Sequence, residues 1–346
     1  MPSTALGFEP LTIAVFIVLA VAALLLDMFS HRHDKPIGMT DAILWSLFWV
    51  MVSLAFAGFL YWHQGASVAS LFLTGYVLEK ALSVDNLFVF IAIFAWFKVP
   101  GGYRHRILYW GIIGAIVFRG IFVALGTTLL TLGPWVEMLF AGVVAWTAVM
   151  MLKAGGDDDK EEEDYSQHLA YRFAQKLFPA WPKLYGHNFF VRREKLQVEL
   201  TKPENQGLTL AQKGALFATP LFLCLVVIEV SDIMFAFDSV PAVIAVSREP
   251  LIVYSAMLFA ILGLRTLYFL LEALKRYLVH LEKSVIVLLF YIAGKLALNA
   301  SDHLFGHGIS ISPNTSLVIV LAVLVCGVIA SFIFPEKEEE NNQQPV

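Results

Sequence analysis

Acidic residues lie at the centre of two long apolar runs, Glu79-Lys-Ala-Leu-Ser-Val-Asp85-Asn86 and Glu229-Val-Ser-Asp232-Ile-Met-Phe-Ala-Phe-Asp238-Ser239. The apolar runs that contain these stretches extend over about 67–97 and about 214–246. As single helices they would be about 45 Å long at 1.5 Å per residue, whereas the hydrocarbon core of a membrane is about 30 Å thick. We therefore expect two membrane helices that break near their acids, because irregular backbone at membrane depth is tolerated only where it lines a cavity.

The composition of the whole chain indicates a polytopic membrane protein. Of its 346 residues, 58% are hydrophobic and 15% are charged, against about 25% charged residues in a typical soluble domain. This excludes an ordinary soluble enzyme, a disordered protein and a nucleic-acid binder. Apolar runs long enough to span a bilayer predict an all-α fold with about nine transmembrane helices, at about 11–29, 42–62, 67–97, 107–131, 135–152, 214–246, 251–272, 284–300 and 316–334.

The basic residues predict how the chain is oriented in the membrane. Nearly all of the Lys and Arg residues outside the predicted spans fall in alternate loops, and the opposite loops contain only Arg248. Because cytoplasmic loops are enriched in Lys and Arg, we expect the N-terminus outside and the C-terminus in the cytoplasm of a cell with this protein in its plasma membrane.

Three successive predicted helices recur along the chain. Each acidic span is followed by a helix with one Arg among apolar residues, Arg119 or Arg265, and then by a third helix in which Met150 matches Lys295. When a unit of three helices is repeated in tandem, its two copies enter the membrane in opposite directions, as in the inverted repeats of secondary transporters. The predicted division is 1–66 (two helices), 67–152 (first repeat), 153–212 (cytoplasmic loop), 213–300 (second repeat) and 301–346 (external loop, last helix and acidic tail).

The cytoplasmic loop is predicted to contain three kinds of segment. An acidic linker begins at Asp157, an amphipathic surface helix is expected over 165–178, and a small hairpin is expected over 188–200.

The intramembrane acids are the candidate functional residues. A charged carboxylate at bilayer depth costs at least about 2.5–3.5 kcal/mol, so these acids must be paired, protonated or bound to a cation. Oxygen ligands without His or Cys favour hard cations, and we expect Mn²⁺ or Ca²⁺ as a transported or bound ion, with no tightly held cofactor. The predicted ligands are Glu79, Asp85, Asn86, Glu229, Asp232, Asp238 and Ser239, and the predicted counter-charges are Arg119, Arg265 and Lys295, with Lys80 as a further candidate.

Other interpretations remain open. The acids and bases could form a purely structural ion-pair network. Arg119 and Arg265 could bind an oxyanion, and the chain could act as a membrane anchor or metal sensor for cytoplasmic partners. We do not expect an enzyme, because the sequence lacks HExxH, GxSxG and GxGD motifs. Asp27 is interpreted as an interfacial residue and Glu137 as an exposed first-turn acid.

The two acidic segments resemble the signature segments of the TerC/Alx family of integral membrane proteins, and the resemblance extends over about 10–335. It implies a bacterial inner-membrane protein associated with tellurite resistance, with manganese export or metal homeostasis in related members, and with soluble tellurium-resistance proteins that would bind the 153–212 loop. It also implies that the five intramembrane acids handle metal. In one departure, Met150 stands where family members often carry a Lys.

Overall fold

The computed structural model describes residues 8–30, 38–154, 171–172, 178–202, 205, 215–274, 281–306 and 311–333. These residues are mainly α-helical, as predicted. The helices are α1 (Pro10–Ser30), α2 (Met39–Gln64), α3 (Ala66–Trp96), α4 (Gly101–Leu130), α5 (Pro134–Ala154), α6 (Arg193–Leu200), α7 (Pro220–Val246), α8 (Pro250–Ile261), α9 (Leu264–Leu274), α10 (Leu281–Phe305) and α11 (Pro313–Ile333). Two short strands, β1 (Phe190–Arg192) and β2 (Leu216–Ala218), complete the described structure.

The helices are long and apolar enough for a membrane protein. Within the described ranges, seven of them, α1, α2, α4, α5, α7, α10 and α11, could each cross a bilayer, and the α8–α9 pair could form an eighth span. Helix α3 has 31 residues, but its centre carries Glu79, Lys80 and Asp85, and it is not among these seven. The predicted count of nine requires α3 as well and stays a prediction.

Helix α3 lies in the interior, whereas several outer helices present apolar side chains outward. It packs against α2, α7, α8 and α11, and its buried residues share a core with those of α5, α7 and α10. By contrast, Val18 of α1, Leu47 of α2 and Phe332 of α11 are more than half exposed. An apolar exterior around a packed interior is what a surface in contact with lipid requires.

The broken helix is not where the sequence predicted it. Helices α3 and α7 run without interruption through their acids, so the expectation that these two helices break is wrong. The interruption lies between α8 and α9, whose axes differ by 53°. Gly263 stands at this break with φ +76°, a backbone conformation that glycine adopts at no steric cost.

The described part of the predicted cytoplasmic loop forms a small folded module with the residues that follow the loop. The hairpin expected over 188–200 is wrong, because β1 pairs with β2, in the antiparallel register Phe190 to Ala218, while the next residues form α6. The sequence of α6, Arg-Glu-Lys-Leu-Gln-Val-Glu-Leu, is rich in strong helix formers. The ring of His187 stacks on Tyr103 at the start of α4, which joins the module to the membrane helices. The acidic run and most of 165–178 lie outside the described residues.

Candidate functional site

Acids from the two repeated segments meet at one arginine. Arg119 of α4 is 1% exposed. Its Nη1 is paired with Glu79 Oε1 of α3, and its Nη2 donates a hydrogen bond of 3.0 Å to Asp232 Oδ1 of α7. The planar guanidinium can donate hydrogen bonds to two carboxylates at once, because its N–H groups are held in a fixed geometry. One buried ionic bridge thereby joins the consecutive helices α3 and α4 to α7, which is distant from them in sequence.

A third carboxylate lies next to this bridge. Glu229 is on α7, one turn before Asp232, and is half-buried. A Cβ added at Gly114 of α4 would overlap the Glu229 carboxylate. The glycine therefore lets this acid lie directly against the backbone of α4, five residues before Arg119.

Several carboxylate oxygens at this site lack protein donors. Glu79 Oε2, Glu229 Oε2 and Asp232 Oδ2 are buried and accept no hydrogen bond from the described residues. Ser83 donates to the other oxygen of Glu79, at 3.4 Å. Buried polar atoms are almost always satisfied in native structures, so these oxygens are suited to accept a ligand that carries positive charge or donates hydrogen bonds.

The remaining predicted ligands lie on the same two helices. Asn86 is 8% exposed and Ser239 is 1% exposed. The backbones of Asp85 and Asp238 belong to α3 and α7, but their side chains are not among those that the structure describes. Among the described side chains, no three of the types His, Cys, Asp and Glu are grouped closely enough to hold a metal ion.

The α7 backbone adds a further oxygen near Asp238. Pro241 lies inside this helix and has no N–H group, so the carbonyl of Phe237, four residues earlier, has no helical donor. Carbonyl oxygens of this kind are common ligands of hard cations.

The other predicted counter-charges have different surroundings. Arg265 is 2% exposed and pairs with Asp27 of α1, with 3.1 Å between Arg265 Nη2 and Asp27 Oδ2. It also donates to the backbone carbonyl of Asp27. Lys80 donates to backbone carbonyls at the break between α8 and α9. Lys295 of α10 is 5% exposed and forms no ion pair with the other described side chains. Of the three predicted counter-charges, only Arg119 contacts the predicted acidic ligands that the structure describes.

Two acids that the sequence analysis set apart from the candidate ligands are buried within the protein. Asp27 is 6% exposed and Glu137 is 3% exposed, so the interpretation of Glu137 as an exposed acid is wrong. Glu137 Oε1 lies 2.5 Å from Arg248 Nη2, and its Oε2 lies 3.4 Å from His303 Nδ1. The available signal was Arg248, the one basic residue in the predicted external loops, because such a cation can pair with an acid at the end of a neighbouring helix.

Comparison with known proteins identifies the family. Residues 64–339 match the integral membrane protein TerC family. The chain is 67% identical to the tellurium resistance protein TerC of Serratia marcescens over 99% of each chain. It is 66% identical to the protein of the same name from an Alcaligenes species, over 99% of this chain and 100% of that one.

More distant relatives carry other names. The chain is 35% identical to a putative membrane-bound redox modulator Alx of Photorhabdus laumondii, over 83% of this chain and 86% of the relative. No solved structure matches it. The family match covers most of the chain, and the first two relatives cover nearly all of it. The chain is therefore an integral, multi-pass membrane protein that belongs to the TerC family.

Proposed function

We propose that this protein moves a divalent cation, Mn²⁺ or Ca²⁺, across the bacterial inner membrane and thereby contributes to tellurium resistance. Resistance to tellurium is what the names of its two similar relatives state for those proteins. The observation that carries the proposal of cation transport is the surplus of buried carboxylate oxygens around Arg119. In this proposal the N-terminus lies outside and the C-terminus lies in the cytoplasm.

The charges at the site favour a divalent cation. Glu79 and Asp232 pair with a single guanidinium, that of Arg119, and Glu229 lies against Gly114 of the same helix. If all three acids are ionised, two negative charges remain without a partner, and each costs at least about 2.5–3.5 kcal/mol at bilayer depth. One divalent cation supplies the missing charge, and carboxylates are ligands that Mn²⁺ and Ca²⁺ accept.

The three described acids do not complete a metal site by themselves. The proposal therefore assigns further ligand oxygens to Asp85, Asn86, Asp238 and Ser239, which lie on the same two helices. The carbonyl of Phe237 supplies another oxygen in this set.

The packing of the helices supports an inverted repeat, which we include in the proposal. An axis that exchanges α3–α5 with α7–α10 would pair α3 with α8 in the same way as α7 with α4, and both of these pairs pack extensively. The same axis would leave the α5–α10 and α3–α7 pairs unchanged, and these also pack together. A site where α3 meets α7 would then lie on the axis, where inverted-repeat transporters bind their substrates.

In this mechanism Arg119 acts as a resident counter-charge. Without the cation, its guanidinium pairs with both Glu79 and Asp232 and keeps the α3–α4–α7 interface closed. A bound divalent cation competes for the same carboxylates and weakens their hold on Arg119. The acids would take up protons when the cation leaves, which gives exchange of metal for protons.

The alternative functions fit the described contacts less well. An oxyanion would meet three carboxylates beside Arg119, and Arg265 is already paired with Asp27. One observation favours the anchor interpretation. The folded module that contains β1, α6 and β2 offers a surface for soluble partners such as other tellurium-resistance proteins. Transport by purified protein distinguishes the anchor from the transporter, because an anchor moves no ion.

The test is Mn²⁺ flux into proteoliposomes that enclose a dye quenched by Mn²⁺. We expect flux with the native protein and a loss of at least ~10-fold in Asp232→Asn and Asp85→Asn, since even outer partners of a metal contribute this much. Asp41→Asn is the matched control, because Asp41 is exposed at the start of α2, and it should leave the flux unchanged.

Two results would contradict the proposal. The first is the absence of Mn²⁺ and Ca²⁺ flux in proteoliposomes that contain correctly folded native protein. The second is unchanged flux in both site variants at equal protein content. Cells that express Asp85→Asn should in parallel lose tellurite resistance, and loss of resistance without any loss of flux would favour the anchor.

A further inference from the structure

The break between α8 and α9 leaves backbone carbonyls without their helical donors. Helix α8 ends at Ile261 and α9 begins at Leu264. Gly263 interrupts the helical backbone, and Thr266 Oγ1 donates to the Gly263 carbonyl at 2.8 Å. The carbonyl of Ala260 is among the last of α8, where the helix dipole is negative, and Leu262 directly follows the helix. This end of the helix is therefore suited to a positive charge.

Lys80 of α3 supplies that charge. Its Nζ donates to the carbonyl of Ala260 at 3.0 Å and to that of Leu262 at 3.2 Å. Helix α3 approaches α8 closely, since a Cβ on Gly75 would lie 3.2 Å from the Cβ of Ala256. This close approach brings the ammonium to the break.

Other helices also contact the break and the residue that follows it. A Cβ on Gly263 would overlap the ring of Trp49 of α2. Arg265, two residues later, pairs with Asp27 of α1. The break and the start of α9 are thus contacted by α1, by α2 and by the ammonium of Lys80 from α3, and α9 also packs against α3 and α4. Lys80 directly follows Glu79, so the bridge at Arg119 and the break are held by neighbouring residues of one helix.

We propose that the carbonyls at the end of α8 form a site for a monovalent ammonium group, which the side chain of Lys80 fills as a tethered ligand. Lys80 is therefore a positioning residue that maintains the bend between α8 and α9. It is not a counter-charge for the intramembrane acids. When the tether is removed, the site accepts a free primary alkylammonium ion. Propylammonium matches the atoms that Lys80→Ala removes.

The test measures the bend directly and does not depend on metal transport. Spin labels are placed on Glu249→Cys and Ala273→Cys, both exposed positions at the outer ends of α8 and α9, after Cys224→Ala and Cys326→Ser. Straightening a 53° bend between helices of 12 and 11 residues lengthens their end-to-end distance by about 4 Å at 1.5 Å per residue. Pulsed electron paramagnetic resonance of the protein in nanodiscs resolves this change.

We expect Lys80→Ala to lengthen or broaden the distance distribution and added propylammonium to restore it. Tetramethylammonium carries the same charge but has no N–H donor, and it should not restore the distance. Lys80→Met fills the space of the lysine methylene chain but has no ammonium group. It should therefore lengthen the distance, and propylammonium should not restore it because its space is occupied. If Lys80→Ala does not fold, the Lys80→Met distance decides the matter.

An unchanged distance in the Lys80 variants would overturn the proposal. So would a longer distance in Lys80→Ala that propylammonium does not reverse, or a native distance in Lys80→Met, because packing alone would then hold the bend. None of these results bears on whether the protein transports a cation, and a failure of the Mn²⁺ test leaves the distances interpretable.

Discussion

Arg119 and Arg265 occupy matching positions in the two proposed repeat units, yet they bind different partners. Arg119 joins Glu79 and Asp232, one acid from each unit. Arg265 pairs with Asp27, which belongs to neither unit. Both guanidiniums are almost completely buried. The same residue in the same sequence context therefore serves the candidate site in one unit and attaches helix α1 in the other.

The helices that carry the two arginines differ in the same manner. Helix α4 is continuous over 30 residues, and five residues before Arg119 it has Gly114, which gives room to the Glu229 carboxylate. The residue five positions before Arg265 is Ala260, which lies near the end of α8. The Ala260 carbonyl accepts a hydrogen bond from Lys80. A repeated sequence thus yields one intact helix that contacts the acids and one bent helix. The difference suggests that the two units have separate tasks.

The largest predicted effect concerns the two arginines. Arg119→Met leaves Glu79 and Asp232 buried without their shared partner and should lower the free energy of unfolding by about 3–5 kcal/mol. It should also abolish Mn²⁺ flux. Arg265→Met removes the ion-pair partner of Asp27 alone, close to the end of α1, and should have a smaller effect on stability and leave residual flux. Thermal unfolding in detergent and the proteoliposome assay measure both.

Double variants sharpen this comparison. Adding Asp232→Asn to Arg119→Met should recover part of the lost stability, and adding Asp27→Asn to Arg265→Met should recover most of it. Asp27→Asn should not help Arg119→Met. Two results would show that the arginines share one network. One is an equal loss of stability in the two single variants, and the other is recovery of the Arg119→Met stability by Asp27→Asn.

A smaller effect is predicted for Gly114→Ala. The added methyl group overlaps the Glu229 carboxylate, and overpacking of this kind costs about 1–3 kcal/mol. Mn²⁺ flux should fall because the carboxylate is displaced. Gly142→Ala on α5 is the control, since an added Cβ there meets no atom within 4 Å, and Ala is favoured over Gly in a helix by up to about 1 kcal/mol. Equal behaviour of both variants would contradict the placement of Glu229.

Some of these features could be predicted from the sequence and others could not. The acids and Arg119 could be found, because charged residues inside apolar runs are costly and must meet a partner. The position of the break could not, since Gly263 is one of many glycines in apolar runs and only the packing of Trp49 and Lys80 sets its conformation. The pairing of Arg265 with Asp27 joins residues 238 positions apart, and no local pattern encodes such a contact.

The smallest predicted effect tests the third pair of matching positions. Met150 matches Lys295 in sequence, but Met150 is 49% exposed whereas Lys295 is 5% exposed. A lysine at 150 lies one turn from the end of α5 at Ala154, so its ammonium can extend to the membrane surface. Met150→Lys should therefore change the free energy of unfolding by less than about 1 kcal/mol and leave Mn²⁺ flux unchanged. Lys295→Met, the reciprocal variant, replaces a buried charge and should have the larger effect. A marked change of flux in Met150→Lys would mean that residue 150 reaches the acids, and the two units would then be more alike than their arginines indicate.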